Sequence, residues 1–430
     1  MKKAVIVTLN AKDKGRLEEL IALAETLGYT IVKVFSQQRR RPDPRFFLGK
    51  GKFKELIDYV RSLQSESKRN NITIIFDGNL KPIQFFNIYK ELENVNILDR
   101  VQLILEIFDE HAGTREAKLQ IELARLKHVK PIVKEWIRQR KTGELPGFLG
   151  SGKYDVDAYY LMIKRRITKL TQELGKLRKL REKLRKSRRK AGINTVAIIG
   201  YTSAGKSSIF NVLTGERKKV GEEPFTTLTT KHRAIILEDN LKVLLMDTVG
   251  FIDYVPVEII EAFYSTLEEI VESSLLLLII DVSEEISEIK RKVRGVFETL
   301  RRIGVSGKPM IVVFNKIDLV RKEEIEKKVR LLKNVISENY ENIVAYINAS
   351  AKKGLGISEI AKEIVKVLRK DMVKVFVSIP ENKLSEIYLP LRIVSRSNGF
   401  YKCEIYTYKD YLPATLKALK KVNATIISQN

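Results

Sequence analysis

Short apolar runs alternate with amphipathic stretches along the first part of the chain. Ala4 to Leu9, Thr30 to Phe35, Ile72 to Phe76 and Val95 to Leu98 have the composition of buried strands, and Leu17 to Leu27, Phe53 to Leu63 and Ile83 to Leu92 have helical periodicity between them. Strands separated by helices pair in parallel through right-handed crossovers, so residues 1–105 are expected to form a parallel α/β domain. Residues 106–190 carry a different period. Ile163, Ile167, Leu170, Leu174 and Leu177, followed by Leu180 or Leu184, mostly alternate spacings of four and three, and Leu119, Leu123 and Leu126 share that spacing upstream. Two long helices paired as an antiparallel hairpin around Gly143 to Gly152 account for both. From 192 to 370 the strand-like runs return as Thr195 to Ile199, Leu241 to Met246, Leu275 to Ile280, Met310 to Phe314 and Ile343 to Ile347. Residues 372–430 read as strand, loop, strand (Tyr401 to Tyr406), helix (Tyr411 to Lys421) and strand (Ala424 to Ile427), a small α/β domain.

The third region carries the most informative residues. Gly200-Tyr201-Thr202-Ser203-Ala204-Gly205-Lys206-Ser207 fits the phosphate-loop pattern, with a strand before it and an amphipathic helix, Ser207 to Leu213, after it. In that setting backbone N–H groups point at the β-phosphate, Lys206 reaches the β- and γ-phosphates and the Ser207 hydroxyl ligates Mg²⁺. Ser208, next in the chain, belongs to the same nucleotide-binding set. Gly147 to Lys153 repeats the glycine spacing, but Tyr154 stands where the hydroxyl must be and no apolar strand precedes it, so it is not a nucleotide site. It opens a helix instead, where an N-terminus can meet a phosphate at the tip of the hairpin.

Asn315-Lys316-Ile317-Asp318 follows the run ending at Phe314, at the carboxyl end of a strand, where open α/β sheets bind ligands. The Asp318 carboxylate can accept from guanine N1 and N2, which adenine does not offer; Asn315 can bridge base and phosphate loop, and the Lys316 stem can lie over the ring. GTP is therefore favoured over ATP. Asp247-Thr248-Val249-Gly250 ends the Leu241 to Met246 run, with Asp247 placed to hold Mg²⁺ through water and the Gly250 N–H placed to bond the γ-phosphate. Phe225-Thr226-Thr227-Leu228 lies where a switch loop supplies its Mg²⁺-ligating threonine; Thr227 is the first choice and Thr226 the second. Asn348-Ala349-Ser350-Ala351-Lys352 follows the last strand, and the backbone of Ser350, Ala351 and Lys352 could donate to guanine O6. Lys206, Thr227 and Gly250 are the expected catalytic set. The residue after Gly250 is Phe251, where Ras-like proteins carry the glutamine that orients the attacking water, so intrinsic hydrolysis should be slow until a partner orders the switches.

Composition narrows the class. The chain of 430 residues has a single cysteine, Cys403, so no intramolecular disulfide, and His111, His128 and His232 are too scattered to suggest a metal centre. Met1-Lys2-Lys3 and the short apolar run after it are too brief for a signal peptide, and Leu275 to Ile280 is far short of a membrane span. A cytoplasmic protein is expected. The net charge of +26 points to a polyanionic partner, and it is uneven. From Lys164 to Lys190 there are fourteen Lys or Arg against two acids. Part of that charge is a solvated flank of the helical seam, but the excess on one arm favours nucleic acid. Gly49-Lys50-Gly51 lacks a nucleotide fingerprint and reads as a turn.

Asp43-Pro44-Arg45-Phe46-Phe47-Leu48-Gly49-Lys50-Gly51-Lys52, Leu98-Asp99-Arg100 and Leu119-Gln120-Ile121-Glu122-Leu123-Ala124 resemble the N-terminal signatures of the HflX GTPases, and Asp247 to Ile252 resembles that family's third GTPase motif. The resemblance spans residues 1 to about 370. It implies an N-terminal parallel α/β domain with a helical hairpin, a Ras-like P-loop GTPase domain and a small C-terminal α/β domain. It also implies a GTPase converting GTP to GDP on the large ribosomal subunit and its rRNA, near the peptidyl-transferase region; Mg²⁺ is expected from Ser207, Thr227 and Asp247, and a monomer is expected, although the sequence leaves oligomeric state open. Splitting or rescue of stalled ribosomes, and a cytoplasmic location, in part at the membrane periphery, go with it. A GTP-gated RNA-binding factor in ribosome assembly, using hydrolysis only as a reset, is the alternative. Three positions depart from the family. The hairpin tip reads Pro146 to Gly152 in place of Gly-Pro-Gly-Glu-Thr, Thr229 replaces an aspartate, and Ser203 stands where many members carry an asparagine that in some related GTPases helps hold potassium, which leaves potassium dependence open.

Overall fold

The computed structural model describes residues 2–9, 14–66, 72–92, 95–141, 155–190, 193–216, 231–238, 241–251, 267–370, 372–387, 391–408 and 412–429. They fall into two units, which divide within a long helix at Leu177 and Arg178.

In the first unit, β1 (Lys2–Thr8), β2 (Tyr29–Ser36), β3 (Ile72–Phe76) and β4 (Asn96–Asp99) form a sheet of order β2-β1-β3-β4, parallel throughout. Every residue of β3 is buried, as a strand covered on both faces requires. The crossover helices are α1 (Lys14–Thr26), α2 (Lys50–Glu66) and α3 (Pro82–Glu91). Lys50 and Gly51 open α2 and do not form the turn expected from their glycines; the turn lies earlier, where Asp43 and Phe47 exchange backbone hydrogen bonds of 2.8 and 3.2 Å. Helix α4 (Arg100–His111) starts at a capping box: the Asp99 carboxylate accepts from Gln102 N–H at 2.9 Å and the Gln102 side chain accepts from Asp99 N–H at 3.2 Å. The same Asp99 meets His128 Nε2 at 2.9 Å, which ties the next helix to the sheet.

That helix, α5 (Arg115–Lys141), has two faces. Ala117, Ile121, Ala124, Ile132 and Val133 are buried, while Leu119, Leu123 and Leu126 are half-buried along the expected seam. Helix α6 (Asp155–Lys190) runs antiparallel to it, as three ion pairs establish: Arg115 with Glu173 at 2.6 Å, Arg166 with Glu122 at 2.6 Å and Arg140 with Asp157 at 2.8 Å. Ile163 and Leu170 are fully buried, but Leu180 is 56% exposed, so the seam closes before it. The tip between α5 and α6, with the second glycine-rich motif, lies outside the described residues.

The second unit holds two sheets. The larger has the order β10-β9-β8-β5-β7-β6, built from β5 (Asn194–Gly200), β6 (Lys231–Ile236), β7 (Lys242–Asp247), β8 (Leu275–Asp281), β9 (Met310–Asn315) and β10 (Ile343–Asn348). All neighbours are parallel except β6, which pairs antiparallel with β7 at the edge. Strand β6 was not foreseen; most of its residues are exposed, so no apolar alternation marks it. The helices are α7 (Lys206–Thr214), α8 (Ile286–Arg302), α9 (Lys322–Asn339) and α10 (Ile357–Arg369). Ile289, Val293, Val296, Phe297 and Leu300 place one stripe of α8 on the core at helical spacing. The smaller sheet is antiparallel, with order β12-β13-β11-β14: β11 (Met372–Pro380), β12 (Leu391–Ser397), β13 (Phe400–Tyr408) and β14 (Thr425–Gln429), with α11 (Leu412–Lys421) on one side. Strand β12 is a second unforeseen edge, largely exposed.

Candidate functional site

The parallel strands β5, β7, β9 and β10 end on one edge of the larger sheet, and the sequence motifs leave from those ends. Strand β5 runs into the loop Gly200 to Gly205 and then α7. Gly200 has φ +150, and a Cβ there would collide with the backbone carbonyl of Ile279, so the close approach of β5 to β8 admits only glycine. Ser203 holds φ +59 without being a glycine, a conformation that costs about 1 kcal/mol for an ordinary L residue. It is exposed, so its backbone is presented outward at the mouth of the loop.

Lys206 titrates away from its ordinary value. Burial lowers its pKa to about 8, with Asp247 acting in the opposite sense, and its Nζ donates to the Tyr201 carbonyl at 2.7 Å. The ammonium is thus charged at neutral pH but lacks water, which suits it to a polyanion. Ser207 Oγ donates to Asp247 Oδ2 at 2.8 Å, bringing together two hard oxygen donors from positions forty residues apart, Asp247 being fully buried. Gly250 packs against the loop so closely that a Cβ would lie 2.8 Å from Thr202 Cγ2 and 2.9 Å from Lys206 Nζ. Phe251 carries the strand-like contact one step further. Its N–H donates to Gly200 O at 3.0 Å and its carbonyl accepts from Thr202 N–H at 2.9 Å, while its ring is buried. Thr248 Oγ1 donates to Ile198 O at 2.6 Å and fixes the start of this segment.

The second half of the crevice is assembled by Asn315. Its Nδ2 donates to Ala204 O at 2.9 Å and its Oδ1 accepts from Ala351 N–H at 3.1 Å, so one buried side chain joins the phosphate loop to the loop after β10. Asp318 Oδ1 accepts from Ser350 Oγ at 2.6 Å, and Ser350 Oγ in turn accepts from Lys353 N–H at 3.1 Å. Lys316 adopts φ +64 at the start of a 3-10 turn, Ile317–Leu319, and its Nζ pairs with Asp281 Oδ2 at 2.5 Å. Lys352 is exposed at the rim.

Gly200 to Ser208, Asp247, Gly250, Asn315, Lys316, Asp318 and Ser350 to Lys352 therefore lie at the carboxyl ends of the parallel strands, linked through Ser207 with Asp247, Asn315 with Ala204 and Ala351, and Asp318 with Ser350. Thr227 and its neighbour Thr226 lie outside the described residues. Sequence reasoning missed Asp281, whose position was nonetheless signalled: it directly follows the Leu275 to Ile280 run, at the carboxyl end of a parallel strand. It also missed the cover over Tyr201, whose buried ring lies 5.1 Å from Lys292 Nζ and 5.9 Å from the Arg291 guanidinium; nothing local in sequence joins them. The described residues contain no cluster of metal-ligating side chains of the His, Cys, Asp or Glu type, and no helix among them is long and apolar enough to cross a membrane.

Comparison with known proteins bears on most of the chain. Three family models match in succession: a GTP-binding GTPase N-terminal region over residues 14–109, a GTP-binding GTPase middle region over 111–188 and a 50S ribosome-binding GTPase over 195–316. A GTPase HflX from Hyperthermus butylicus is 46% identical over 367 residues, covering 85% of this chain and 96% of that protein. The Escherichia coli GTPase HflX is 31% identical over 90% of this chain and 87% of its own length. Among solved structures, SsGBP in complex with GDP is 34% identical, covers 86% of this chain and 99% of its own, and superimposes with a TM-score of 0.50. With a phosphate loop, an Asn-Lys-x-Asp segment and an Asp-x-x-Gly segment on one sheet edge, behind matching N-terminal and middle regions, the chain belongs to the HflX family of GTPases and is a GTP-hydrolysing enzyme.

Proposed function

We propose that the crevice binds GTP with Mg²⁺ and hydrolyses it to GDP and phosphate on the large ribosomal subunit, and that the energy of the cycle serves to split or rescue stalled ribosomes. The link made by Asn315 carries the site assignment. It brings the guanine-reading loop and the phosphate loop into one frame, with Asp318 and the backbone of Ser350, Ala351 and Lys352 at one end and Lys206 at the other. Asp318 takes guanine N1 and N2, the loop after β10 takes O6, and the Lys316 stem covers the base.

At the phosphate end, N–H groups from Ser203 to Ser208 surround the β-phosphate, and Lys206 spans the β- and γ-phosphates. Ser207, Asp247 and Thr227 would hold Mg²⁺; the Ser207 and Asp247 oxygens already sit within one hydrogen bond of each other, a donor set suited to a hard cation. That ion would neutralise phosphate charge. In hydrolysis the water oxygen bonds to Pγ while the bond from Pγ to the bridging oxygen breaks, and the leaving GDP oxygen gains charge beside the Lys206 ammonium. The Gly250 N–H faces the γ-phosphate. Phe251 has no group that can orient water, and its backbone is engaged with Gly200 and Thr202, so the attacking water is placed only when a bound partner orders the segment.

The partner reading rests on charge and on the description of the matched G-domain family as ribosome-binding. Of the cations on α6, Arg166 is engaged with Glu122, and Arg178 and Arg181 both reach Glu268 at 3.2 Å. Lys169, Lys176, Lys179 and Lys183, on exposed positions of the same helix, supply a strip for RNA phosphates. The N-terminal domain and hairpin bind RNA, the GTPase domain switches, and the chain acts as a monomer. Cosedimentation with purified subunits and with intact ribosomes, in a GTP analogue, GDP and no nucleotide over a salt series, tests this. Binding to large subunits in the GTP-analogue state, a shift of intact ribosomes to free subunits and faster GTP turnover support it. Equal turnover with and without large subunits, or binding only to precursor particles, overturns it.

A further inference from the structure

The small C-terminal sheet has a face that the GTPase cycle does not use. In chain order the domain runs β11, a 3-10 segment Glu381–Glu386, β12, β13, α11, β14, and the sheet order is β12-β13-β11-β14 with every neighbour antiparallel. This is the split β-α-β-β-α-β arrangement with its first helix reduced to a 3-10 segment, and it puts β11 and β13 at the centre. One face is the domain core: Val375, Val377, Ile379, Cys403 and Ile405 are buried with Leu419 of α11.

The pleat sends the intervening side chains to the opposite face. They are Lys374, Phe376 and Ser378 on β11, and Phe400, Lys402, Glu404 and Tyr406 on β13, with Lys374 opposite Tyr406, Phe376 opposite Glu404 and Ser378 opposite Lys402. Between Lys374 and Ser378 of β11 and along Phe400 to Tyr406 of β13 that face presents three aromatic rings, with Met372 and Pro380 at the two ends of β11. Phe400 is 42% exposed, Lys402 is exposed, and Phe376 and Tyr406 are half-buried. Cations surround the rings. Lys374 Nζ lies 4.5 Å from the Phe376 centroid and 5.8 Å from that of Tyr406, and the Arg369 guanidinium lies 4.3 Å from Tyr406. The one carboxylate on these strands, Glu404, is neutralised by Lys374 at 2.7 Å and Arg392 at 3.8 Å and accepts from the Tyr406 hydroxyl at 3.2 Å.

We infer that this face is a binding site for single-stranded RNA, stacking unpaired bases on Phe376, Tyr406 and Phe400 while Lys402 and Arg392 meet the phosphates. Flat π faces on the two central strands of a four-stranded antiparallel sheet are a platform on which two or three splayed bases stack, and a duplex, with its bases already stacked inside, cannot use it. The exposed Lys402 beside the rings opposes a protein partner, because protein interfaces are depleted of lysine at their centre. The site is separate from the basic strip on α6, which attracts phosphates whether or not the bases are free. It stands without the ribosome reading, since the probe is free RNA.

The test uses the full-length chain with GDP and fluorescein-labelled oligouridylate and oligoadenylate of about eight nucleotides, compared with a hairpin duplex. Ultraviolet crosslinking followed by mass spectrometry locates the contacts. Single strands are expected to crosslink at Phe376, Phe400 or Tyr406. Phe376→Ala and Tyr406→Ala are each expected to weaken single-strand binding roughly 10-fold with duplex binding unchanged. Phe376→Leu, which keeps bulk without a π face, weakens it similarly, and Phe376→Tyr restores it; unchanged thermal unfolding of these two shows an intact sheet. Lys176→Gln with Lys179→Gln is expected to lower duplex and single-strand binding alike and to leave the crosslinks in place. The inference is overturned if Phe376→Leu with Tyr406→Phe binds like the parent and crosslinks fall only on α6. It is equally overturned if the face variants lose binding to RNA-free ribosomal proteins but not to RNA, which would make the face a protein contact.

Discussion

Asn315 and Ala204, 111 residues apart in the chain, are joined by a 2.9 Å hydrogen bond from the Asn315 amide to the Ala204 carbonyl, and the same side chain accepts from Ala351 N–H. Asn315 is 2% exposed, so its removal leaves a buried acceptor and a buried donor unsatisfied. Asn315→Ala is expected to lower unfolding free energy by about 3 kcal/mol, measured by urea denaturation without nucleotide. GDP affinity should fall with it. Unchanged stability together with unchanged GDP affinity would mean that the loops keep their positions without this link.

In the proposed site Asp318 reads the base, through a carboxylate whose Oδ1 accepts from the Ser350 hydroxyl. Asp318→Asn replaces an acceptor-only group with an amide that offers N–H where guanine also offers N–H. Competition binding is expected to show a loss of about 100-fold or more in GTP affinity and a gain for xanthosine triphosphate. Ser350→Ala, which frees the carboxylate without changing its chemistry, should cost much less and leave guanine preferred.

Gly250 lies under the phosphate loop with no room for a side chain: an added Cβ falls 2.8 Å from Thr202 and 2.9 Å from Lys206. Gly250→Ala must displace the Thr202 methyl and the Lys206 ammonium or push the segment off the proposed γ-phosphate position, while the β-phosphate contacts remain. The expected result is GDP affinity close to the parent's with GTP turnover on ribosomes reduced roughly 100-fold. Single-turnover assays and GDP titration separate the two effects; equal losses in both would place Gly250 in general loop stability instead.

Glu106 in α4 gives the first unit a pH response. Burial pushes its carboxyl pKa up, opposed by Arg125 and Lys2 and by a hydrogen bond with Tyr29, while Asp109 adds to the rise. Between the ordinary carboxylate value of 4.5 and its raised folded value, the folded chain binds more protons than the unfolded one, so this group's contribution to stability declines as pH rises through that interval. Glu106→Gln is expected to flatten this part of the stability profile, matching the parent in acid and exceeding it at neutral pH. Thermal unfolding across pH measures it. A variant less stable than its parent at neutral pH would show that the Arg125 and Lys2 attractions outweigh the burial.

What was legible followed from burial. The parallel strands of the two larger sheets announced themselves as apolar runs, most plainly β3 and β8, which are buried along their whole length because strands covered on both faces carry little else. Strands β6 and β12 escaped notice because, at sheet edges, most of their side chains face water. The seam of α6 was legible as far as Leu177; the exposed Leu180 shows that spacing continues where its partner does not. Lys50 and Gly51 misled because glycine suggests a turn, yet a helix can begin directly after one.

The order of motifs and the nature of the ligand could be read from contiguous residues, because a phosphate loop is a local object: its glycines, lysine and serine must occupy adjacent positions between a strand and a helix whatever the rest of the chain does. Distances between motifs could not be read. That Asn315 bonds Ala204 and Ala351, that Asp281 takes Lys316, and that Phe376 shares a sheet face with Tyr406 depend on strand order and register, which arise from long-range packing and leave no periodic trace in the residues concerned.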